Sequence, residues 1–339
     1  MTDHIVEEMP LDPARPIIDP HLHLWEILPM PGTPQLLQRF LFHEVQDAIE
    51  NSGHNITHSV FVECHAMYRC DGPEDLKPVG ETEFANGNAA MSASGSYGSR
   101  RICHRIVGSA NLLLGAAVEM VLDAQLAAAG ERFRGIRFGT AWSEAGLFGY
   151  PCDPAMRSVM MNPLFRAGAQ RLAEKDLSLD VWCLHTQLDE LIDLADALPD
   201  LTIVLDHLGT PEYMGYYAHK REQAYAEWAV KIAALAQRPN VLIKLGGMGM
   251  DISTQIGVGD TLATSETLAA KWRPYIETCI DVFSPQRAMF ESNFPPDNAA
   301  GSYGAIWNAF KIIVDDYSNN EKDRLFSKTA AETYRIDVA

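Results

Sequence analysis

Four of the eleven histidines in this 339-residue chain stand where a short apolar run ends: His21 and His23 in PIIDPHLHLW, His185 in LSLDVWCLH, and His207 in LTIVLDHLG. An imidazole can ligate a metal, transfer a proton near neutral pH or polarise a carbonyl. Alternate residues of an extended strand share a face, so Asp19, His21 and His23 are expected to point the same way. The two imidazoles would then share one metal ion or flank one polar substrate group. Other ionisable groups recur at comparable places: Glu63 at the end of ITHSVFVEC with His65 just beyond it, Arg137 in FRGIRFG, and Glu291, Asn293 and Asp297 in ESNFPPD.

Residues so far apart in sequence meet only if the elements carrying them converge. Eight short, β-branched runs can be read along the chain: Pro16 to Trp25, Ile56 to Cys64, Ile106 to Leu112, Phe133 to Gly139, the runs ending at His185, Gly209 and Gly247, and Arg287 to Pro295. Amphipathic stretches such as LDELIDLADAL and YAEWAVKIAALAQ separate them. Apolar strands alternating with helices indicate a parallel sheet covered on both faces, and eight such units predict closure into an α/β, (β/α)8 TIM barrel. Histidines at three strand ends of such a barrel converge on its C-terminal face. Residues 65–105 and 247–264, rich in Gly with Ser or Thr, are expected as long βα loops after strands 2 and 7, shaping a cavity or a subunit contact. The whole of 1–339 is expected to form one domain, with 1–14 as an N-terminal extension.

The net charge is -18 and 47% of residues are hydrophobic. Such acidity argues against binding nucleic acid through its phosphates, although local arginines could still hold a small anion. The segment MTDHIVEEMPLDPARP lacks the apolar centre of a signal peptide. No uninterrupted apolar run approaches the roughly 18 residues of a membrane helix. Six scattered cysteines form no CxxC pair, so a reduced, cytoplasmic protein is expected.

Taken together, Asp19-Pro20-His21-Leu22-His23-Leu24-Trp25, His185, the Asp206-His207-Leu208-Gly209 turn and Ser292-Asn293-Phe294-Pro295 resemble the amidohydrolase 2 family. That branch of the amidohydrolase superfamily contains 2-pyrone-4,6-dicarboxylate lactonase, sugar-acid lactonases and metal-dependent decarboxylases. The resemblance spans about residues 15 to 335. It implies that His21 and His23 bind a divalent metal such as zinc, or the substrate carbonyl in metal-independent members. It makes His185 the third ligand, and His207 the group that polarises the scissile carbonyl. Arg137 would grip a substrate carboxylate as a fork or close the barrel as an ion pair, with Trp25 and His65 as further substrate contacts.

One departure stands out. The family's eighth strand usually ends Ser-Asp-Trp-Pro, whose aspartate is metal neighbour and general base, whereas this chain has Asn293 there. An amide cannot accept a proton near neutral pH. Asp297, Glu291 and Glu63 are the carboxylates that could take over. The expected activity is hydrolysis of a small carboxylated cyclic ester, or a related ester or amide, by histidine- and metal-assisted attack of water. The alternatives are a metal-dependent nonoxidative decarboxylase of an aromatic or unsaturated acid, and a non-catalytic small-molecule-binding barrel. A homo-oligomer is compatible with the long loops, but the sequence specifies no symmetry.

Overall fold

A computed structural model describes residues 8–26, 39–250 and 262–337. Eight parallel strands run in sequence order: β1 Ile17–Leu22, β2 Ile56–Val62, β3 Arg101–Gly108, β4 Phe133–Gly139, β5 Ser178–Trp182, β6 Ile203–Leu205, β7 Val241–Leu245 and β8 Ala288–Phe290. A parallel bridge between Leu22 and Phe294, with the His23 amide donating to the Phe294 carbonyl at 3.0 Å, brings the last unit back to the first. The expected (β/α)8 barrel is therefore present.

Two apolar layers hold it. Outward residues such as Ile17, Phe61, Ile136, Leu179, Ile203, Ile243 and Phe290 pack with the surrounding helices. Inside, Ile18, Val60, Val62, Val107, Val204 and Met289 meet Ala330, Ala331, Tyr334 and Ile336. The first three of those last four belong to the final helix, Thr329–Tyr334, which plugs the N-terminal end of the barrel. Above this plug the interior turns polar.

Three expectations need revision. Residues 65–105 are not one long loop: they contain the helix Val79–Ala93 and the start of β3, five residues ahead of the expected Ile106. The helix buries mostly small or polar side chains, among them Gly80, Thr82, Ala85, Ala89 and Ser92, so it shows no large-residue stripe. Gly80 is required there, since a Cβ would lie 2.7 Å from the Met67 carbonyl oxygen. The start of β3 was hidden by Arg101, His104 and Arg105, whose polar character breaks the apolar run. Of the second loop, 247–264, residues 251–261 lie outside the described residues.

The third revision concerns β1. The register with β2 shifts between Asp19 and Leu22, around Pro20, which has no N–H to give to a ladder. Ile18 faces inward, Ile17 and Leu22 outward, and the bulge turns Asp19 away from the histidines. Its carboxylate accepts instead from Ser292 Oγ at 2.6 Å and Tyr303 OH at 2.9 Å, tying the barrel seam to the helix Tyr303–Ile313.

The most nearly membrane-like stretch among the described residues is Leu112–Arg132. Glu119 and Asp123 interrupt it, Gly115 breaks it with a φ of 59°, and Val118, Val121 and Leu122 are buried in the barrel's outer core.

Candidate active site

Alternation along the strands places one inward polar side chain after another at the level above the plug: Arg137 on β4, Asp180 on β5, Lys244 on β7. Asp206 and Glu291 follow the last residues of β6 and β8. Asp180, Asp206, Lys244 and Glu291 are completely buried, as are His21 above them and, almost so, Glu63 at the end of β2. Ionised groups survive burial only with partners. Here Lys244 Nζ stands 2.8 Å from Asp180 Oδ2 and 3.0 Å from Asp206 Oδ1, and Arg137 Nε donates to Glu63 Oε1 at 2.8 Å. Four buried carboxylates thus face two fixed cations.

Glu291 organises the imidazoles. Its Oε2 lies 2.7 Å from His21 Nδ1, and its Oε1 lies 2.7 Å from His207 Nδ1 while also accepting the His207 amide at 3.0 Å. Burial alone would raise its pKa, but His207 and His21 outweigh it and hold Glu291 below the usual carboxylate range. An ionised carboxylate only accepts, so both Nδ1 atoms carry the hydrogen. His23 Nδ1 faces the Val62 carbonyl at 2.8 Å, which fixes the same tautomer. Burial, then Lys244 beside His21 and Arg137 beside His23, push those two pKa values well below the ordinary histidine range. Neutral His21 and His23 therefore present bare Nε2 lone pairs, 3.1 Å apart. Such facing lone pairs call for a cation or a donated hydrogen between them; Arg137 Nη1, 3.2 Å from His21 Nε2, supplies one.

His207 enters from the turn after β6 in a left-handed conformation, φ 55°, with its ring centroid 4.7 Å from that of His21. The Gly-rich segment after β7 makes room. A Cβ on Gly247 would fall 2.2 Å from His207 Cγ, one on Gly246 2.5 Å from Glu291 Cγ, and one on Gly249 2.9 Å from Asp297 Cγ.

The residue types and spacing fit a divalent ion. His21, Asp206 and His207 offer ligand atoms all within 4.8 Å of one another. Their imidazoles are oriented by a carboxylate, the arrangement typical of metal-ligating histidines. Asp206 Oδ2 is buried without a hydrogen bond, and the surplus of buried carboxylates favours a cation. His185 does not join this group. Its Nδ1 accepts from the Glu212 amide at 3.0 Å and its ring packs on Tyr217 at 4.8 Å, beneath the connection that follows β6. The tautomer is opposite: Nε2 carries the hydrogen. The ligand set expected from the sequence, His21 with His23 and His185, is thus not the grouping assembled here.

Several other expected residues have defined places. Arg137 gives three of its five N–H groups to the chain itself, at Glu63 Oε1, the Glu63 carbonyl and His21. Trp25 is buried and stacks on His23 at 6.0 Å. His65 is exposed at the rim, bonded to Tyr68 OH at 3.0 Å and 3.7 Å from Glu63 Oε2. Asn293 donates from Nδ2 to Asp297 Oδ1 at 2.8 Å. Asp297 is buried, and burial pushes its pKa up to about 7 against the opposing pull of His207 and Asn293. Sequence reasoning passed over Asp206, Asp180 and Lys244. The last two are single charges inside the apolar strands LSLDVW and NVLIKL, which is itself a signal that a partner or a function awaits them.

The amidohydrolase family profile matches residues 18–336, and the chain belongs to that family. It is an enzyme fold of the hydrolase class. Over 335 residues the chain is 32% identical to an uncharacterized protein, y4mH, of Sinorhizobium fredii, covering 94% of this chain and 98% of that one. It is 24% identical to an L-fucono-1,5-lactonase of Burkholderia ambifaria, over 80% of this chain and 88% of the relative. Among solved structures, a zinc-bound amidohydrolase from Burkholderia multivorans superposes with a TM-score of 0.73 at 22% identity, covering 95% and 99% of the two chains. A 2,6-dihydroxybenzoate decarboxylase superposes at 0.57 and 13% identity, covering 95% and 99%, which speaks to the fold alone.

Proposed function

We propose that this chain hydrolyses a small cyclic ester, with Asp297 as the general base. The observation that carries the reading is the Asn293–Asp297 pair. The amide that replaces the family's eighth-strand aspartate holds Asp297 in place, and burial brings Asp297 to a pKa near 7. A base works best when its pKa matches the operating pH. The other two carboxylates are committed elsewhere: Glu291 to two imidazoles and Glu63 to Arg137. Asp297 would take a proton from the attacking water, and His207 would face the carbonyl oxygen as charge builds there. Opening the ring leaves a carboxylate and a hydroxyl. The lactonase relatives support a cyclic ester over an amide.

His21 and His207, with Asp206 beside them and His23 Nε2 nearby, would hold a divalent ion such as zinc. A bound ion of this kind supplies Lewis acidity toward a carbonyl and lowers the pKa of water. Arg137 gives three of its five N–H groups to Glu63 and His21, and the substrate is proposed here on its ester ring, with or without a carboxylate. The test is a panel of 1,5- and 1,4-lactones, including L-fucono-1,5-lactone, assayed by proton release across pH. Turnover should rise through about pH 7 as Asp297 loses its proton. Carbon dioxide release from aromatic acids without any lactone opening would sink the proposal in favour of decarboxylation.

A further inference from the structure

Lys244 has no part in that reaction, yet it is completely buried at the centre of the barrel. Its ammonium stands 2.8 Å from Asp180 Oδ2, 3.0 Å from Asp206 Oδ1 and 3.2 Å from His21 Nδ1, with Glu291 bearing on it as well. Asp180 is fixed in turn by Ser178 Oγ at 2.9 Å and by Tyr334 OH at 2.6 Å, from the helix that plugs the barrel. These surroundings are oxygen-rich and preorganised, the kind that hard divalent cations occupy. Two of the neighbours, His21 and Asp206, also belong to the group assigned to the metal.

We infer that Lys244 is a resident cation filling the inner half of the site, so that the chain holds no more than one divalent ion, on the imidazole side. The inference rests on the metal-binding reading of His21, Asp206 and His207, but not on the identity of the substrate. The geometry explains the choice of lysine. An ammonium sits 2.8–3.0 Å from its carboxylates here, whereas an oxygen-ligated Mg2+ or Zn2+ ion sits at about 2.0–2.2 Å. A lysine tethered to β7 therefore supplies positive charge without drawing Asp206 inward. Both Asp206 oxygens are buried without a hydrogen bond, with Oδ1 held by the ion pair to Lys244. Lys244 acts as a positioning residue, through Asp206, whose Oδ1 stands 3.0 Å from its ammonium.

Metal stoichiometry tests this without recourse to activity. Chelator-stripped wild-type protein, titrated with Zn2+ and then analysed for bound metal, should take up one ion per chain; two tightly bound ions would overturn the inference. Lys244→Met should gain one additional site, read with Mn2+ as loss of the free-ion paramagnetic resonance signal. Adding Asp180→Asn to that variant should weaken the new site by about 10-fold or more. If Lys244→Met fails to fold in chelator, refolding that Mn2+ restores supports the inference. A variant that gains no Mn2+ in either condition refutes it. Loss of lactone turnover with this metal pattern intact would count against the proposed function and leave Lys244's role standing.

Discussion

Asp297→Asn should abolish turnover and at the same time stabilise the protein at alkaline pH. The carboxyl's pKa moves from 3.8 to about 7 on folding, with burial the leading cause. A carboxylate whose folded pKa is raised binds its proton more tightly in the native state. Stability therefore falls as pH rises from about 4 toward 7, and the penalty is fully present above 7. About three units at 1.36 kcal/mol each gives roughly 4 kcal/mol as an upper figure at pH 8.5. Asparagine is close in shape, keeps an oxygen toward Asn293 and carries no charge to desolvate. Urea unfolding of both proteins at pH 5.5 and 8.5 reads the difference directly. Asp297→Asn should gain several kcal/mol over wild type at pH 8.5 and about half as much at pH 5.5, while kcat falls by at least about 100-fold, the usual contribution of a general base. An equal stability change at both pH values, or retained turnover, would refute the argument.

Glu291→Gln leaves one of the two Nδ1–H groups facing an amide donor, so one imidazole must exchange tautomers. Metal affinity or kcat/KM should drop about 10- to 100-fold, and imidazole nitrogen NMR should show one altered ring; unchanged tautomers would contradict the orienting role. In wild type, Glu291's depressed pKa contributes stability that is complete above its ordinary 4.5 and is lost as pH falls below it. Asn293→Asp places a second carboxyl 2.8 Å from Asp297, so the acidic limb of the rate profile should move up by about one unit or more. An unmoved limb would show that Asp297 is not the group being titrated. Gly247→Ala puts a methyl group 2.2 Å from the His207 ring at a φ of 67°. It should lower stability by about 1–3 kcal/mol and reduce turnover, checked by thermal melting alongside steady-state kinetics.

How much of this was legible beforehand follows from the range of each interaction. The barrel was readable because strand and helix periodicities are local: LSLDVW, LTIVL and NVLIKL announce buried strands without help from the rest of the chain. The HxH pair and His207 were readable because a strand end on a barrel has only one face on which to put its chemistry. Helix Val79–Ala93 escaped because small residues pack tightly without leaving a periodic stripe. Asp19 was misplaced because a bulge at Pro20 reverses the alternation, and only pairing with β2 reveals it.

The sequence by itself therefore determined the parallel barrel, the inward histidines and the loss of the eighth-strand aspartate to Asn293. Only the tertiary structure decided what each polar group does. It set His185 apart on Tyr217, paired Arg137 with Glu63, drew Glu291 between two imidazoles and left Asp297 buried against Asn293. The reason is physical: a charge's partner, its burial and its tautomer often depend on distant side chains, Glu63 74 residues from Arg137 and Asp19 273 residues from Ser292, and no local pattern encodes those distances.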